Sequence, residues 1–296
     1  DETYTAQMIP QVAEAIINAH TALVPAKAGW AQVDAHAFTN CRRWIRRSDK
    51  MIADPFGQVS VRANMHPGYE NPDIVGPSGP TDPELSLLSL VRADDDKPIA
   101  MMANFSMHYF GAGPGFSADY YGELAGMIEK SLGSNAVGIV SQGTSGDLHY
   151  MDYSRAKDAD LTRTKYAAGL ADIAIQAGKS ITHRSDLSLA MAGAKLPLGR
   201  RLPSGERLAW AAPLNAARGD AVPKNKEEVY AEQAEWIHAN PKTELVLQAI
   251  RLGELAITAI PNEVYGITGL KLKAQSPLTA TFNIELANGA EGYIPP

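Results

Sequence analysis

Two apolar segments joined by a short polar turn constrain the fold of this chain more than any other feature. The first, "LSLLSLVR", ends at Arg92, and the second, "PIAMMANFSMH", begins at Pro98 after the polar residues "ADDDK". Apolar, strand-like runs separated by a polar turn are typical of paired β-strands. The sequence therefore predicts a hairpin-like strand pair within a β-sheet.

Helical and strand-like segments surround this pair and predict an α/β fold. Apolar positions at helical spacing predict helices over residues 6–24, 119–132 and 161–181. A charged amphipathic helix is predicted in "KNKEEVYAEQAEWIHAN", and "NEVYGITGLKLKA" begins a helix directly after a strand. Further strands are predicted in "AVGIVSQG", "DLSLAMAGAKLPL", "ELVLQAIRLGELAITAIP" and "LTATFNIELANG". With no internal repeat or clear linker, residues 1–296 are predicted to form a single α/β domain with a mixed β-sheet flanked by helices.

Residues 34–82 show little periodicity and are rich in Pro, Gly and Asn. This composition predicts a long ordered loop. A loop of such length in a compact domain is more often functional than idle.

The composition excludes several classes of function. The chain has 296 residues and a net charge of -6, and its only basic cluster is "RRWIRR", so nucleic acid is not an expected partner. Its single cysteine, Cys41, excludes an intrachain disulfide. No apolar run reaches the roughly 18 residues that a membrane span needs, and "DETYTAQM" lacks the features of a signal peptide. We therefore expect a soluble chain without a transmembrane segment.

Three predicted strands are followed by polar residues where the chain turns. They are His108 after "MMANFSM", Asp147 and His149 after "VGIVSQGTSG", and Glu263 after "AITAIPN". Ligands of open α/β sheets collect at the carboxyl ends of strands, and these residue types suit a hydrolytic zinc site with an open position for water. Structural roles stay open for each residue as well: a cap for Asp147 and Glu263, an exposed position for His149, and a hydrogen-bonded core position for His108.

Other catalytic templates do not match. No H-E-x-x-H zinc motif is present, and "SQGTSGD" contains no G-x-S-x-G elbow. The "GAGPG" segment lacks the spacing of a dinucleotide or phosphate-binding loop.

Several blocks of the sequence, in this order, resemble the catalytic domain of the neutral/alkaline non-lysosomal ceramidases, and more closely its uncharacterised bacterial relatives. They are "TDPELSLLSLV", "DDKPIAMMANFSMHYFG", "SADYYGELAGMIEKSLG", "VSQGTSGDLHYMD", "AITAIPNEVYGITGLKLK" and "LANGAEGYIPP". The resemblance implies that family's catalytic fold, an extracellular or periplasmic location, and hydrolysis of an amide bond in a small or lipid-like N-acyl substrate.

The resemblance also implies roles for individual residues. The family holds a zinc ion with two histidines, a glutamate and a tyrosine; "NFSMH" maps the second histidine to His108, "IPNEVYGITG" maps the glutamate to Glu263, and "ANGAEGYIPP" maps the tyrosine to Tyr293. The segment "NCRRW" is similar to the family's Asn-Arg segment near the substrate, which implies a role for Arg42 or Arg43.

Two departures from the family pattern change the expected chemistry. The Thr-His-x-His-Ser segment of the first zinc histidine has no counterpart here, since His20 and His36 lie in a different context, so we expect a separate or cleaved N-terminal segment to supply that ligand. The family's C-terminal immunoglobulin-like domain also has no counterpart. The run "GDLHYM" places His149 where ceramidases carry their serine.

The sequence thus predicts a zinc-dependent hydrolase of an amide, with a non-lipid amide or ester as an alternative substrate. In this hypothesis His149, steadied by Asp147, moves protons, and an arginine near position 42 stabilises the oxyanion. Asp119 either orients a ligand or caps a helix. The competing interpretation is a binding or scaffold protein that keeps the fold without the chemistry.

Overall fold

The computed structural model of the protein describes residues 2–111, 116–133 and 135–296, so most of the "GAGPG" segment lies outside the described residues. Helices and strands mix throughout, which confirms the α/β class. In chain order the elements are α1 (Glu2–Thr21), β1 (Ala26–Asp34), β2 (Asn40–Cys41), β3 (Arg43–Arg46), β4 (Ile52–Ala53), β5 (Val59–Val61), β6 (Ala63–Met65), β7 (Ile74–Pro77), β8 (Glu84–Arg92), β9 (Pro98–Phe105), α2 (Asp119–Leu132), β10 (Val137–Gln142), β11 (Leu148–His149), α3 (Arg163–Gly178), β12 (Leu189–Gly199), α4 (Gly205–Arg218), α5 (Lys226–Ala239), β13 (Lys242–Leu252), β14 (Leu255–Ala259), β15 (Glu263–Val264), α6 (Gly266–Gln275), β16 (Ala280–Ile284) and β17 (Tyr293–Ile294).

The predicted strand pair lies at the centre of the first sheet, whose order is β1-β8-β9-β10. Strands β8 and β9 are antiparallel, with Leu87 opposite Ala103, as the polar turn between them predicted. Strand β10 runs parallel to β9. The carboxyl ends of β9 and β10 therefore lie side by side at one edge of the sheet.

Helices α2 and α3 cover one face of this sheet. Tyr120, Leu124 and Ile128 are buried at a spacing of four residues, so they form one stripe of α2. They pack in a cluster with Leu87 and Phe105 of the sheet. Fully burying an aliphatic or aromatic side chain stabilises a fold by about 1.5–3 kcal/mol, so this cluster is the main support of the strand ends.

The mixed sheet content is divided between two four-stranded sheets, the second having the order β12-β13-β14-β16. Strands β14 and β16 are parallel, with α6 in the connection between them. Leu255 and Phe282 of this sheet pack against Trp30 and Leu88 of the first. At the strand ends Glu285 N–H donates to the Gln142 carbonyl at 3.1 Å, which ties β16 to β10.

Residues 34–82, predicted as a long loop, instead contain several very short strands. Strand β3 pairs with β6 and β7 in a three-stranded sheet, and β4 pairs with β5. Each of these strands has only two to four residues, too few to show a sequence period.

Helix α4 was not predicted either. Pro213 lies inside it, and its one fully buried residue, Ala211, packs against α5. A helix with so small a buried face carries little apolar pattern. Among the described residues, no helix is long and apolar enough to cross a membrane.

Candidate active site

The side chains of His108 and Glu263 meet where the two main sheets adjoin. Nε2 of His108 lies 3.3 Å from Oε2 of Glu263. His108 follows β9 and is buried, and Glu263 begins β15 just after β14. Two of the strand ends that the sequence singled out therefore converge on one point.

Tyr293 reaches the same point through a short parallel strand pair. Strand β17 pairs with β15 so that Tyr293 lies directly beside Glu263. Because aligned residues of adjacent strands point the same way, the phenol and the carboxylate share one face. Burial raises the pKa of Tyr293 and the charge of Arg42 opposes this rise.

Arg42 links the members of this group. Its Nη2 atom donates to the Gly146 carbonyl at 2.8 Å and to the Tyr293 hydroxyl at 3.3 Å, and it lies 3.5 Å from Oε2 of Glu263. Arg43, by contrast, contacts Ser78 through Nη1 at 3.5 Å. Of the two arginines between which the sequence left the choice open, the structure brings Arg42 to the group.

His149 lies one ring away from His108. It sits in β11, paired with β2 opposite Asn40, and is buried. Its ring centroid is 6.5 Å from that of His108. The Nδ1 atoms of both rings are buried and make no hydrogen bond with any described residue. Both rings thus present an unpartnered nitrogen to this region.

Asp147 does something other than the predicted steadying of His149. One of its carboxylate oxygens accepts a hydrogen bond from Gly266 N–H at 2.8 Å, at the start of α6. Burial raises its pKa. This contact matches the capping role that the sequence left open, and it ties the loop before β11 to the helix that follows Glu263.

Asp119 holds the chain just after His108. Its carboxylate accepts hydrogen bonds from Phe110 N–H at 2.7 Å, Gly111 N–H at 3.0 Å and Tyr120 N–H at 2.7 Å. Asp119 is the first residue of α2 and has a φ of 53°, whereas the capping position is Ala118. It therefore fixes backbone next to His108 rather than capping the helix in the usual way.

His66 belongs to the site and was not predicted. Its ring centroid is 5.4 Å from that of His149, and its Nδ1 shares a 2.5 Å hydrogen bond with the Tyr153 hydroxyl. Its backbone N–H donates to the Arg42 carbonyl at 2.8 Å, and its φ of 53° is unusual for a residue other than glycine. Apart from its place in the aperiodic segment 34–82, the sequence carries no signal for this role.

Glu285 is the second residue that the sequence reasoning missed. It is 3% exposed, and its carboxylate accepts hydrogen bonds from Ser145 Oγ at 2.5 Å, Gln142 Nε2 at 2.7 Å and Val264 N–H at 2.7 Å. It therefore clamps the loop that leads to His149 against the strand that carries Glu263.

The electrostatics of the site keep both histidines neutral. Burial, reinforced by the charge of Arg42 and by the neighbouring His66, lowers the pKa of His108 to about 4 and that of His149 to about 3. A neutral imidazole retains a lone pair that binds a metal ion or accepts a proton.

The donors at this point fit a zinc ion, although they do not form a histidine- and carboxylate-only cluster. Within residues 2–111, 116–133 and 135–296, no group of three or more His, Cys, Asp or Glu side chains could hold a metal ion. His108 Nδ1 and Glu263 Oε2 are nevertheless buried without hydrogen-bond partners in the described chain, as atoms that bind a ligand would be. Together with the Tyr293 phenol they offer the N and O donors that Zn²⁺ accepts.

Comparisons with known proteins show what the fold is similar to. A solved structure of neutral ceramidase from Pseudomonas aeruginosa matches 99% of this chain with a TM-score of 0.62 at 15% identity, and the match covers 50% of that protein. A ceramidase complexed with C2 matches 93% of this chain and 49% of its own, with a TM-score of 0.56 at 14% identity. No family model and no curated protein matches the sequence. The fold is therefore neutral-ceramidase-like, and the chain spans about half the length of these structures.

Proposed function

We propose that this protein is a metal-dependent hydrolase of an amide (N-acyl) bond, with Zn²⁺ held by His108, Glu263 and Tyr293. The observation that carries the proposal is the convergence of these three side chains around buried Arg42, with His108 Nε2 3.3 Å from Glu263 Oε2. The neutral-ceramidase-like fold supports the same class of reaction.

The reaction adds water across the amide: the C–N bond breaks, the carbonyl carbon gains the hydroxyl, and the amine leaves with a proton. When bound, Zn²⁺ supplies Lewis-acid polarisation of the carbonyl and acidifies a water molecule. Arg42, buried and fixed by the Gly146 carbonyl, stabilises the negative charge that develops on the carbonyl oxygen.

His149 accepts and returns the proton in this scheme. Its Nδ1 is unpartnered within the described residues and its ring is neutral, so that atom is free to take a proton from water. His66 is exposed and touches the ring of His149 at its edge, so it connects the buried imidazole with solvent. An extracellular or periplasmic location belongs to this proposal and rests on the resemblance alone.

A second candidate function is a non-catalytic binding protein with the same fold. The observation that favours it is His149 itself, which occupies the position of the serine that ceramidases carry. An imidazole does not perform acyl transfer as a serine hydroxyl does. Only the hydrolytic proposal gives the unpartnered nitrogens of His108 and His149 a common role.

The test measures zinc content and hydrolysis on the same samples. We expect about one zinc per purified chain by elemental analysis and release of amine from N-acyl substrates. His108→Ala and Glu263→Ala should lose both, while the exposed positions His238→Ala and Glu235→Ala serve as matched controls that retain both. Unchanged metal content and hydrolysis in the two site variants would contradict the proposal. A metal-free chain without hydrolysis would favour the binding protein.

A further inference from the structure

A small cavity borders the histidines on the side of Tyr150. It measures about 190 Å³ and is lined in part by Tyr69, Tyr150 and Lys157. The ring of Tyr150 lies 4.5 Å from that of His149, and the ring of Tyr69 lies 5.2 Å from that of Tyr153, which binds His66. A group held in this cavity would therefore lie beside the proton-transferring side chains.

The cavity, which we name the tyrosine cavity, combines aromatic faces with unsatisfied polar groups. Within the described residues, the hydroxyls of Tyr69 and Tyr150 make no hydrogen bond, and Lys157 forms no ion pair. Asp152 is already engaged by Arg155 at 3.0 Å. A tyrosine hydroxyl both donates and accepts, and a lysine ammonium donates only. The unused groups thus match a partner rich in hydroxyls.

Charge and size narrow the choice of ligand. The lining contains two acidic and two basic side chains, Asp152, Asp158, Arg155 and Lys157, so it favours neither a strong anion nor a strong cation. Clefts that bury a drug-sized ligand measure roughly 300–1,000 Å³, so this cavity accommodates a smaller group, such as a single ring.

An acyl chain would find its apolar contacts elsewhere. A cavity of about 790 Å³ beside α4 and α5 is lined by Phe56, Leu202 and Tyr230, and one of about 500 Å³ against the second sheet is lined by Met191 and Ile250. None of the residues that line these two cavities belongs to the candidate active site. The polar tyrosine cavity is the one that borders its histidines.

We propose that the tyrosine cavity binds a polyhydroxylated ring, so that the amine released by hydrolysis is an amino sugar. This inference rests on the proposed function for the reaction but on the cavity for the class of substrate. The tyrosine rings pack against the C–H face of the sugar, and the free hydroxyls of Tyr69 and Tyr150 and the ammonium of Lys157 bind its hydroxyl groups.

The experiment separates binding from turnover. Binding of N-acetylglucosamine to the full chain is measured by titration calorimetry, and hydrolysis is measured on N-acetylglucosamine and on N-acetylhexylamine, which carries the same acyl group on a linear amine. Lys157→Ala and Tyr69→Phe each remove one polar group without disturbing a described hydrogen bond. Lys224→Ala changes an exposed lysine outside the cavity and is the matched control.

We expect the sugar to bind, and Lys157→Ala and Tyr69→Phe each to weaken binding by about tenfold, as loss of one hydrogen bond to a charged or fixed group does. Binding that is lost in these variants supports the inference even if no hydrolysis occurs, which would refute the proposed function alone. Hydrolysis that favours the linear amide and is unaffected by the two variants would overturn the inference and leave the proposed function standing. Absence of sugar binding would overturn it as well.

Discussion

Replacing Glu285 by glutamine tests whether a buried carboxyl holds the two active-site loops together. Burial raises the pKa of Glu285 to about 7, although the hydrogen bonds from Ser145, Val264 N–H and Gln142 favour the ionised form. The same carboxyl in the unfolded chain has its usual pKa near 4.5. A difference of about 2.5 in pKa corresponds to about 3 kcal/mol between the two protonation states.

The sign of the effect follows from where the proton is held. Between pH 4.5 and 7 the unfolded chain has released this proton while the folded chain still holds it. The free energy of unfolding therefore falls as the pH rises through this range, and the contribution of about 3 kcal/mol is fully lost above pH 7. Glu285→Gln carries a neutral amide at every pH, so it does not undergo this loss.

The assay is urea unfolding of both proteins between pH 4.5 and 8 with a chelator present. The difference in unfolding free energy between Glu285→Gln and the parent should shift in favour of the variant by about 3 kcal/mol as the pH rises. Titration of the histidines occurs in both proteins and cancels in the difference. Glu235→Gln, at an exposed position, is the control that should show no such shift. A difference that stays constant within about 0.5 kcal/mol would refute the reasoning, because Glu285 would then not ionise in this range.

Two further substitutions test the supports of His108. Asp119→Ala leaves the N–H groups of Phe110 and Gly111 without their acceptor, so we expect a loss of about 1–3 kcal/mol in unfolding free energy and a lower zinc content. Asp119→Asn keeps an acceptor oxygen and tolerates the positive φ, and equal effects of the two variants would contradict this role. Leu87→Ala removes a fully buried side chain and should cost about 2–5 kcal/mol by thermal or urea unfolding, whereas a cost below about 1 kcal/mol would show that this cluster is not the support of the strand ends.

The sequence carried enough local information to predict the elements that bear the site. The alternation of polar and apolar residues around "ADDDK" predicted the β8–β9 pair, and helical spacing predicted α2 and α3. Such periods arise from the sterics of the local backbone, so they can be read without knowledge of the chain's path. The polar residues after the strands followed from the same patterns, which is why His108 and Glu263 could be singled out.

Contacts between distant segments could not be predicted in this way. Arg42 and Arg43 are neighbours of the same type, and only the folded chain shows that Arg42 contacts Tyr293. His66 lies in a segment without a period, and its partner Tyr153 is far along the chain.

The sequence by itself thus determined the α/β class, the central strand pair and the chemistry available at the strand ends. Only the tertiary structure decided which side chains meet: it placed Asp147 at the start of α6, and it placed Glu285 under both active-site loops. The physical reason is that a helix or strand is encoded by neighbours along the chain. A buried polar group, in contrast, must find hydrogen-bond partners wherever the packing of the sheets brings them.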